Sequence, residues 1–124
     1  DPRNVASGRD VAVMTKFALE TPEIGGILRK NEYRFTAETG REHAVRSTDD
    51  LLASFLGKPP YKFLGGKTGF LEEAGYCFAA AAQNADGGKV IAVVLGADSK
   101  KDRFREVKGL LYWAFSSFDW PSAE

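Results

Sequence analysis

The local sequence best suited to chemistry is Gly65-Gly66-Lys67-Thr68-Gly69. A phosphate-binding loop of the form Gly-x-x-x-x-Gly-Lys-Thr would use backbone amides at a helix start to bind phosphate. That pattern requires glycine at position 61, which is Tyr61, and an apolar helix after Thr68. The residues that follow are instead Glu72-Glu73-Ala74-Gly75, two carboxylates and a glycine that weakens a helix. The sequence therefore disfavours a phosphate-binding loop.

The same string also suits a strand at the edge of a cleft. There the Lys67 ammonium would supply positive potential, and the Thr68 hydroxyl would hydrogen-bond an anionic substrate group. Gly69 has no Cβ, so a substrate backbone can lie against the strand. Three residues are a weak signal, because a strand end with a solvated lysine explains them too. The assignment therefore depends on the surrounding elements.

Hydrophobic patterns predict the elements on both sides of this string. Strands are expected at 61–68, 75–83 and 89–96, and their short links imply antiparallel pairing. The continuous apolar run at 90–95 predicts a strand covered on both faces. A helix is expected from Ser99 to the break at Trp120-Pro121. Its inner stripe comprises Phe104, Val107, Leu111, Ala114, Phe115 and Phe118.

The first half of the chain has weaker patterns. Ser7 followed by Asp10 resembles a capping box, and an apolar stripe then recurs at helical spacing. A short turn of helix is expected at 23–29, a hairpin from strands at 32–37 and 42–46, and a short helix at 49–56. The apolar stripe of the first helix consists of Val11, Met14, Phe17 and Ala18. The predicted class is α+β, with helices packed on an antiparallel sheet.

Composition limits the possible functions. The 124 residues suit one domain, and 17 basic against 17 acidic residues argue against a nucleic-acid or anionic-membrane partner. A lone cysteine excludes a disulfide framework and a zinc site made of several cysteines. We predict no metal site and no cofactor. We expect Cys77 to be a small core residue and His43 a surface residue. The apolar run at 90–95 is too short for a membrane span, and the polar start lacks a signal peptide.

An ordered set of short motifs resembles a known family. The set consists of Ser7-Gly8-Arg9-Asp10-Val11-Ala12, Tyr33-Arg34-Phe35, Gly66-Lys67-Thr68-Gly69, Ala74-Gly75-Tyr76-Cys77, the run 90–96, Arg103, Glu106 and Leu110-Leu111. It is similar to the C-terminal half of the catalytic domain of serine-type D-alanyl-D-alanine carboxypeptidases, the low-molecular-mass penicillin-binding proteins. Lys-Thr-Gly is a signature of penicillin-binding proteins. The resemblance implies part of a β-lactamase/transpeptidase-like fold.

The resemblance also implies residue roles. In such enzymes a serine attacks the penultimate D-Ala carbonyl of peptidoglycan stem peptides, and β-lactams trap that serine. The catalytic residues implied here are Lys67 and, through its backbone N–H, Phe70. Thr68, Gly69 and Arg103 would bind the substrate. The family implies a periplasmic or other extracytoplasmic location, and neither metal nor cofactor.

The sequence departs from the family pattern at several positions. Ser47 and Asp49 stand where asparagines are usual, and Phe70-Leu71 replaces a pair that commonly ends in threonine. Ser-x-x-Lys and Ser-x-Asn are missing, and the first residue is Asp1 rather than Met. We therefore expect residues 1–124 to be a partial catalytic domain that lacks the N-terminal part with the nucleophile. Such a chain would be inactive alone. Its uncovered strand edges and apolar helix faces would be covered by a companion chain such as the missing half or by self-association, or the segment from Ser7 to Leu19 would rearrange.

Two alternatives have different consequences. A non-catalytic module would bind D-Ala-terminated peptides through Lys67, Thr68 and Arg103 without cleaving them. An unrelated α+β interaction domain would place Lys67 and Arg103 far apart.

Overall fold

The computed structural model describes residue 1 and residues 3–121, except for the side chains at positions 52, 53 and 55. The described residues form an antiparallel β1–β2 ribbon and an antiparallel sheet of strand order β3–β4–β5. This arrangement confirms the predicted α+β class. Position 2 and positions 122–124 of the predicted domain lie outside the described residues. The elements are α1 (Gly8–Glu20), α2 (Pro22–Leu28), β1 (Glu32–Thr36), β2 (Glu42–Arg46), β3 (Lys62–Leu71), β4 (Gly75–Gln83), β5 (Lys89–Ala97) and α3 (Lys100–Ser117).

The first helix begins where the capping pattern predicts. The backbone N–H of Asp10 donates to Ser7 Oγ at 3.1 Å, and the Ser7 N–H donates to Asp10 Oδ2 at 2.9 Å. The Ser7 hydroxyl also donates to Asp10 Oδ2 at 2.7 Å. This bond and the one from the Ser7 N–H lower the pKa of Asp10, because they favour the charged carboxylate. Helix α1 ends at Glu20, and Pro22 then occupies the first position of α2.

The principal core lies between α3 and the three-stranded sheet. Val107 and Leu111 on α3 are fully buried, and the ring of Phe104 meets the edge of Phe78 from β4 at a centroid distance of 4.9 Å. The prediction of a buried stripe on α3 is wrong for one residue, Phe118. Phe118 is 55% exposed, because α3 ends at Ser117 and Phe118 has extended backbone angles that turn it off the helical face.

Strand β5 is covered on both faces, as its apolar run predicts. Helix α3 packs on one side and α1 on the other. The coverage by α1 is incomplete, because Leu95 remains 43% exposed and α1 has no buried residue. The stripe on α1 therefore exists, but Met14 is 58% and Phe17 71% exposed. The expected uncovered apolar helix face is present in the structure.

The predicted helix at 49–56 is wrong in type. The chain forms two short 3-10 turns, Asp50–Ala53 and Phe55–Gly57. Between them Ser54 adopts an extended conformation, and its Oγ accepts a hydrogen bond from the Leu56 N–H at 3.2 Å. Serine side chains compete with helical hydrogen bonding in this way, so a continuous α-helix does not form.

One further side-chain prediction needs correction. Cys77 is half-buried rather than in the core, with its Sγ 3.6 Å from the Ala74 carbonyl oxygen. The two tryptophans also differ in exposure: Trp113 is 56% exposed, whereas Trp120 packs edge-on against Phe115 at a centroid distance of 5.8 Å. The exposed side of α3 is thus more aromatic than its periodicity suggests.

Candidate functional site

The Lys67-Thr68-Gly69 triplet lies within β3 rather than at its end. Strand β3 continues to Leu71, three residues beyond the predicted limit at Thr68. Among the described strands β3 pairs only with β4, so its other edge is unpaired. The triplet is therefore held in extended geometry by β4 and still faces open space. Lys67 and Gly69 are exposed, and Thr68 is half-buried.

Two consecutive glycines let other elements approach this strand closely. At Gly65 the strand register shifts and φ is +135°, a backbone conformation that glycine adopts without strain. A Cβ there would lie 2.9 Å from Leu19 Cδ2 of α1. At Gly66 a Cβ would lie 2.7 Å from Asp49 Oδ2 and 2.9 Å from Phe78 Cε2. The Gly65-Gly66 pair thus sets the distance between β3 and its neighbours.

Thr68 shares a hydrogen bond with a second threonine. The Oγ1 atoms of Thr48 and Thr68 are 2.7 Å apart, and either hydroxyl can be the donor. Lys67 donates from its ammonium to the carbonyl oxygen of Thr68 at 2.6 Å. The ammonium of Lys67 and the hydroxyl of Thr68 therefore both lie at the strand segment that carries the motif.

Arg103 reaches the same strand from the first turn of α3. Its Nη1 donates to the Gly69 carbonyl oxygen at 3.1 Å, and its guanidinium lies 5.5 Å from the Tyr76 ring centroid and 4.9 Å from that of Phe104. Both rings attract the cation through their π faces. Arg103 is only 5% exposed, and its Nε is buried without a partner among the described residues. Its position beside Gly69 contradicts the wide separation from Lys67 that an unrelated domain would show.

The remaining predicted site residue, Phe70, lies next to this arginine. Its ring is 4.3 Å from the ring of its cross-strand partner Tyr76, and the residue is 52% exposed. Tyr76 therefore contacts both Phe70 and Arg103. All five predicted residues, Lys67, Thr68, Gly69, Phe70 and Arg103, lie on or against one segment of β3.

A buried carboxyl group lies beneath the same strand. Asp49 is 6% exposed; its Oδ1 accepts the Leu51 N–H at 2.9 Å, and its Oδ2 has no partner among the described residues. The pKa of Asp49 is raised to about 6, chiefly by burial and also by the negative charge of the nearby Asp50. The Leu51 N–H and the positive charge of Arg103 oppose that rise.

An apolar groove of about 490 Å³ borders the motif. Helices α1 and α2 form one wall and strands β3, β4 and β5 the other, and the Lys67-Thr68-Gly69 triplet lines it. The helix side chains in the groove are Val11, Met14, Thr15, Ala18, Ile24 and Leu28. These apolar side chains are exposed to water, and a second surface could bury them.

The part of the chain that the structure describes holds no group of three or more His, Cys, Asp or Glu side chains arranged to bind a metal ion. None of the helices within 3–121 is long and apolar enough to span a bilayer.

The sequence did not predict the hydrogen bond between Thr48 and Thr68. Asp49 stood out only as a departure from the expected asparagine. The signal available was the polar run Ser47-Thr48-Asp49-Asp50 directly before an apolar pair. Such a run normally predicts a solvated turn or helix cap, and Asp49 does cap Leu51. Its burial against Gly66 depends on the tertiary fold.

Comparison with known sequences identifies related proteins. A profile of the D-alanyl-D-alanine carboxypeptidase family (peptidase family S11) matches residues 1–99. The D-alanyl-D-alanine carboxypeptidase DacF of Bacillus subtilis is 31% identical over 114 residues, which are 92% of this chain and 28% of that protein. DacC of Escherichia coli is 30% identical over 121 residues, 95% of this chain and 27% of that protein. The chain thus spans about a quarter of the length of these curated relatives.

Comparison with solved structures agrees. The Streptomyces K15 DD-transpeptidase superposes with a TM-score of 0.78 at 25% identity, covering 90% of this chain and 42% of that one. A D-alanyl-D-alanine carboxypeptidase from Mycobacterium tuberculosis, at 22% identity and a TM-score of 0.76, shares the fold. These matches exclude the alternative of an unrelated α+β domain.

Proposed function

Because the chain belongs to the D-alanyl-D-alanine carboxypeptidase family, we propose that it forms the substrate-carboxylate side of such an enzyme's active site. The parent protein would remove the terminal D-Ala from peptidoglycan stem peptides. Residues 1–124 would then be part of the catalytic domain, with the nucleophile on another segment of the parent. The observation that supports this proposal is the grouping of Lys67, Thr68 and Arg103 on one segment of β3, a strand with one unpaired edge among the described residues.

The residue roles follow from charge and geometry. Lys67 is exposed and supplies positive potential at the strand edge, where a substrate carboxylate is attracted. Thr68 donates its hydroxyl proton to that carboxylate, and Gly69 leaves room for the peptide to lie beside the strand. The backbone N–H of Phe70 is assigned to the oxyanion hole, where it would stabilise negative charge on the attacked carbonyl oxygen.

Arg103 has a more restricted part in this proposal than an exposed arginine would have. It is 95% covered and already donates through Nη1 to the Gly69 carbonyl, so it fixes the strand while adding positive potential. No described residue accepts a hydrogen bond from Nη2, which leaves that group to donate to the carboxylate.

The chemistry proposed for the parent is acyl transfer in two steps. A serine Oγ attacks the carbonyl carbon of the penultimate D-Ala, the C–N bond breaks, and the terminal D-Ala leaves with the proton on its amine. Water then attacks the resulting ester, which releases the shortened peptide and restores the serine. Neither step needs a metal or cofactor. Since the substrate is cell-wall peptide, the parent would act in the periplasm or at the extracytoplasmic surface.

The apolar groove is consistent with a nucleophile on another segment of the parent and carboxylate-binding residues on this chain. In the proposal, the nucleophile-bearing segment of the parent covers the exposed face of α1 and brings its serine to the Lys67-Thr68-Gly69 edge. The 124-residue chain alone is therefore expected to bind no β-lactam covalently.

A fluorescent penicillin tests both statements. The parent should show a fluorescent band in a gel, and prior treatment with unlabelled penicillin should abolish that band. The 124-residue chain should show no fluorescent band. Covalent labelling of the short chain would overturn the missing-nucleophile statement. A parent that stays unlabelled but still binds a D-Ala-terminated peptide would be a non-catalytic binding module.

A further inference from the structure

We propose that Thr48 is a positioning residue that orients the hydroxyl proton of Thr68 toward the ligand carboxylate. The proposal rests on the function proposed above, because it requires Thr68 to donate to that carboxylate. Thr48 would act through Thr68 and would determine the preference for a free C-terminal carboxylate over an uncharged end.

The hydrogen bond between the two threonines poses a choice of donor. Their Oγ1 atoms are 2.7 Å apart, the ordinary distance for O–H···O. Each hydroxyl has one proton and two lone pairs, so only one of the two protons can lie between them. If Thr68 donates to Thr48, it turns a lone pair toward the ligand, which repels a carboxylate. If Thr48 donates to Thr68, the Thr68 proton is free for the ligand.

An anionic ligand selects the second arrangement. A hydrogen bond to a carboxylate is about twice as strong as one between neutral groups. A hydroxyl that accepts one hydrogen bond is also polarised to donate a better one, so the chain Thr48 to Thr68 to carboxylate is cooperative. In the structure the Lys67 ammonium donates to the Thr68 carbonyl oxygen, whereas Thr48 is the residue whose hydroxyl meets Thr68 Oγ1.

Hydrogen bonds of the neighbouring residues fix the backbone at Thr48, so that its side chain lies beside Thr68. The Asp49 N–H donates to Ser47 Oγ at 3.1 Å, and Asp49 Oδ1 accepts the Leu51 N–H at 2.9 Å. Asp49 itself is buried against Gly66, two residues before Thr68. Residues 47–49 therefore run alongside β3, with Asp49 at Gly66 and Thr48 at Thr68. Threonine is branched at Cβ, so its χ1 rotamers are also restricted.

The location of the pair argues against a purely structural role. Thr48 is exposed and Thr68 only half-buried, so water can replace their hydrogen bond at small cost to folding. Its principal consequence is which way the Thr68 proton points at the strand edge. Removal of the Thr48 hydroxyl should therefore change ligand preference much more than stability.

The test compares two substrates of the parent protein. One is an N-acyl-D-alanyl-D-alanine with a free carboxylate, and the other is the same peptide as its C-terminal amide. The ratio of kcat/KM for the acid to kcat/KM for the amide reports recognition of the carboxylate. Thr48→Val keeps the shape and removes the hydroxyl, Thr48→Ser keeps the hydroxyl, and Thr36→Val is the matched control on the exposed ribbon strand β1.

We expect Thr48→Val to lower the acid-to-amide ratio by about threefold to tenfold, the worth of one hydrogen bond. Thr48→Ser should stay within about twofold of the wild type, and Thr36→Val should match it. An unchanged ratio in Thr48→Val, or an equal loss for acid and amide, overturns the positioning role while the proposed function stands. A wild-type parent that cleaves neither substrate overturns both proposals.

Discussion

The two faces of the β3–β4–β5 sheet differ in how completely this chain covers them. On the α3 face Val107 and Leu111 are fully buried and pack against Phe78. On the α1 face the covering helix has no buried residue, and Phe17 is 71% exposed. Both helices carry a regular apolar stripe, so periodicity alone does not distinguish them.

The difference shows that one chain can bury one face of its sheet fully and leave the apolar residues over the other face partly exposed. Apolar burial drives folding in proportion to the area removed from water, so the α3 face supplies most of the stability of this chain. The α1 face retains apolar area that another surface can bury. The site lies where the two faces meet, since Arg103 reaches β3 from α3 and the groove opens between β3 and α1.

Core truncation is the strongest test of this comparison. Leu111→Ala should lower the free energy of unfolding by about 2–5 kcal/mol, because it leaves a cavity at a residue with no exposed area. Phe17→Ala on α1 should change it by less than about 0.5 kcal/mol. Urea unfolding followed by circular dichroism measures both. Similar losses for the two variants would show that α1 is as well packed as α3.

The buried carboxyl of Asp49 predicts a pH effect on the α3 face. Its folded pKa, about 6, lies above the ordinary aspartate value of 3.8, so the folded state holds this proton more tightly than the unfolded state. Stability should therefore fall as pH rises from about 4 to about 6, by at most about 3 kcal/mol at 1.36 kcal/mol per pKa unit. Below the unfolded pKa this loss is absent, and above the folded pKa it is complete.

Asp49→Asn removes the titrating group and keeps an oxygen to accept the Leu51 N–H. Urea unfolding across this pH range should show a shallower slope for the variant than for the wild type. Asp10, whose pKa is lowered, works in the opposite direction on the exposed helix α1 and serves as the contrast. Parallel slopes for wild type and Asp49→Asn would mean that Asp49 is ionised with little cost.

Glycine-to-alanine substitutions compare how closely neighbouring atoms pack against β3 and against α2. Gly66→Ala should cost about 1–3 kcal/mol, because the added Cβ would meet Asp49 Oδ2, Phe78 Cε2 and the Ala79 carbonyl within 3.0 Å. Gly26→Ala in α2 meets nothing within 4 Å and should be neutral or stabilising by up to about 1 kcal/mol. Thermal unfolding of the two variants gives the sign directly. A tolerated alanine at 66 would show that Asp49 moves freely away from the strand.

Helix caps give the smallest contrast. Ser99 and Ser7 each accept a hydrogen bond from the N–H three residues later, both at 3.1 Å. Ser99→Ala should lower global stability by about 1 kcal/mol, since α3 unfolds with the core. Ser7→Ala should mainly increase fraying of α1, seen as faster amide hydrogen exchange there with a smaller global loss. Equal global losses would place α1 in the same cooperative unit as α3.

The sequence by itself determined the elements and the identity of the motif. Capping at Ser7 and Ser99, the apolar run of β5 and the order of short motifs depend on neighbouring residues, so the α+β class could be predicted. The five candidate site residues were inferred from the family resemblance, and their roles stay a prediction. The 3-10 turns after Asp49 and the extended Phe118 were not readable, since their hydrogen bonding and direction compete with the local pattern.

Only the tertiary structure decided which polar residues lie at the site and which apolar ones lie uncovered. Thr48 and Asp49 reach β3 because a loop folds along a strand about twenty residues later in the chain, and Arg103 is buried because α3 lays it on Gly69. Contacts of that separation leave no periodic trace in sequence. Burial is likewise a property of what packs opposite a stripe, so α1 and α3 look alike as sequences and differ only once folded.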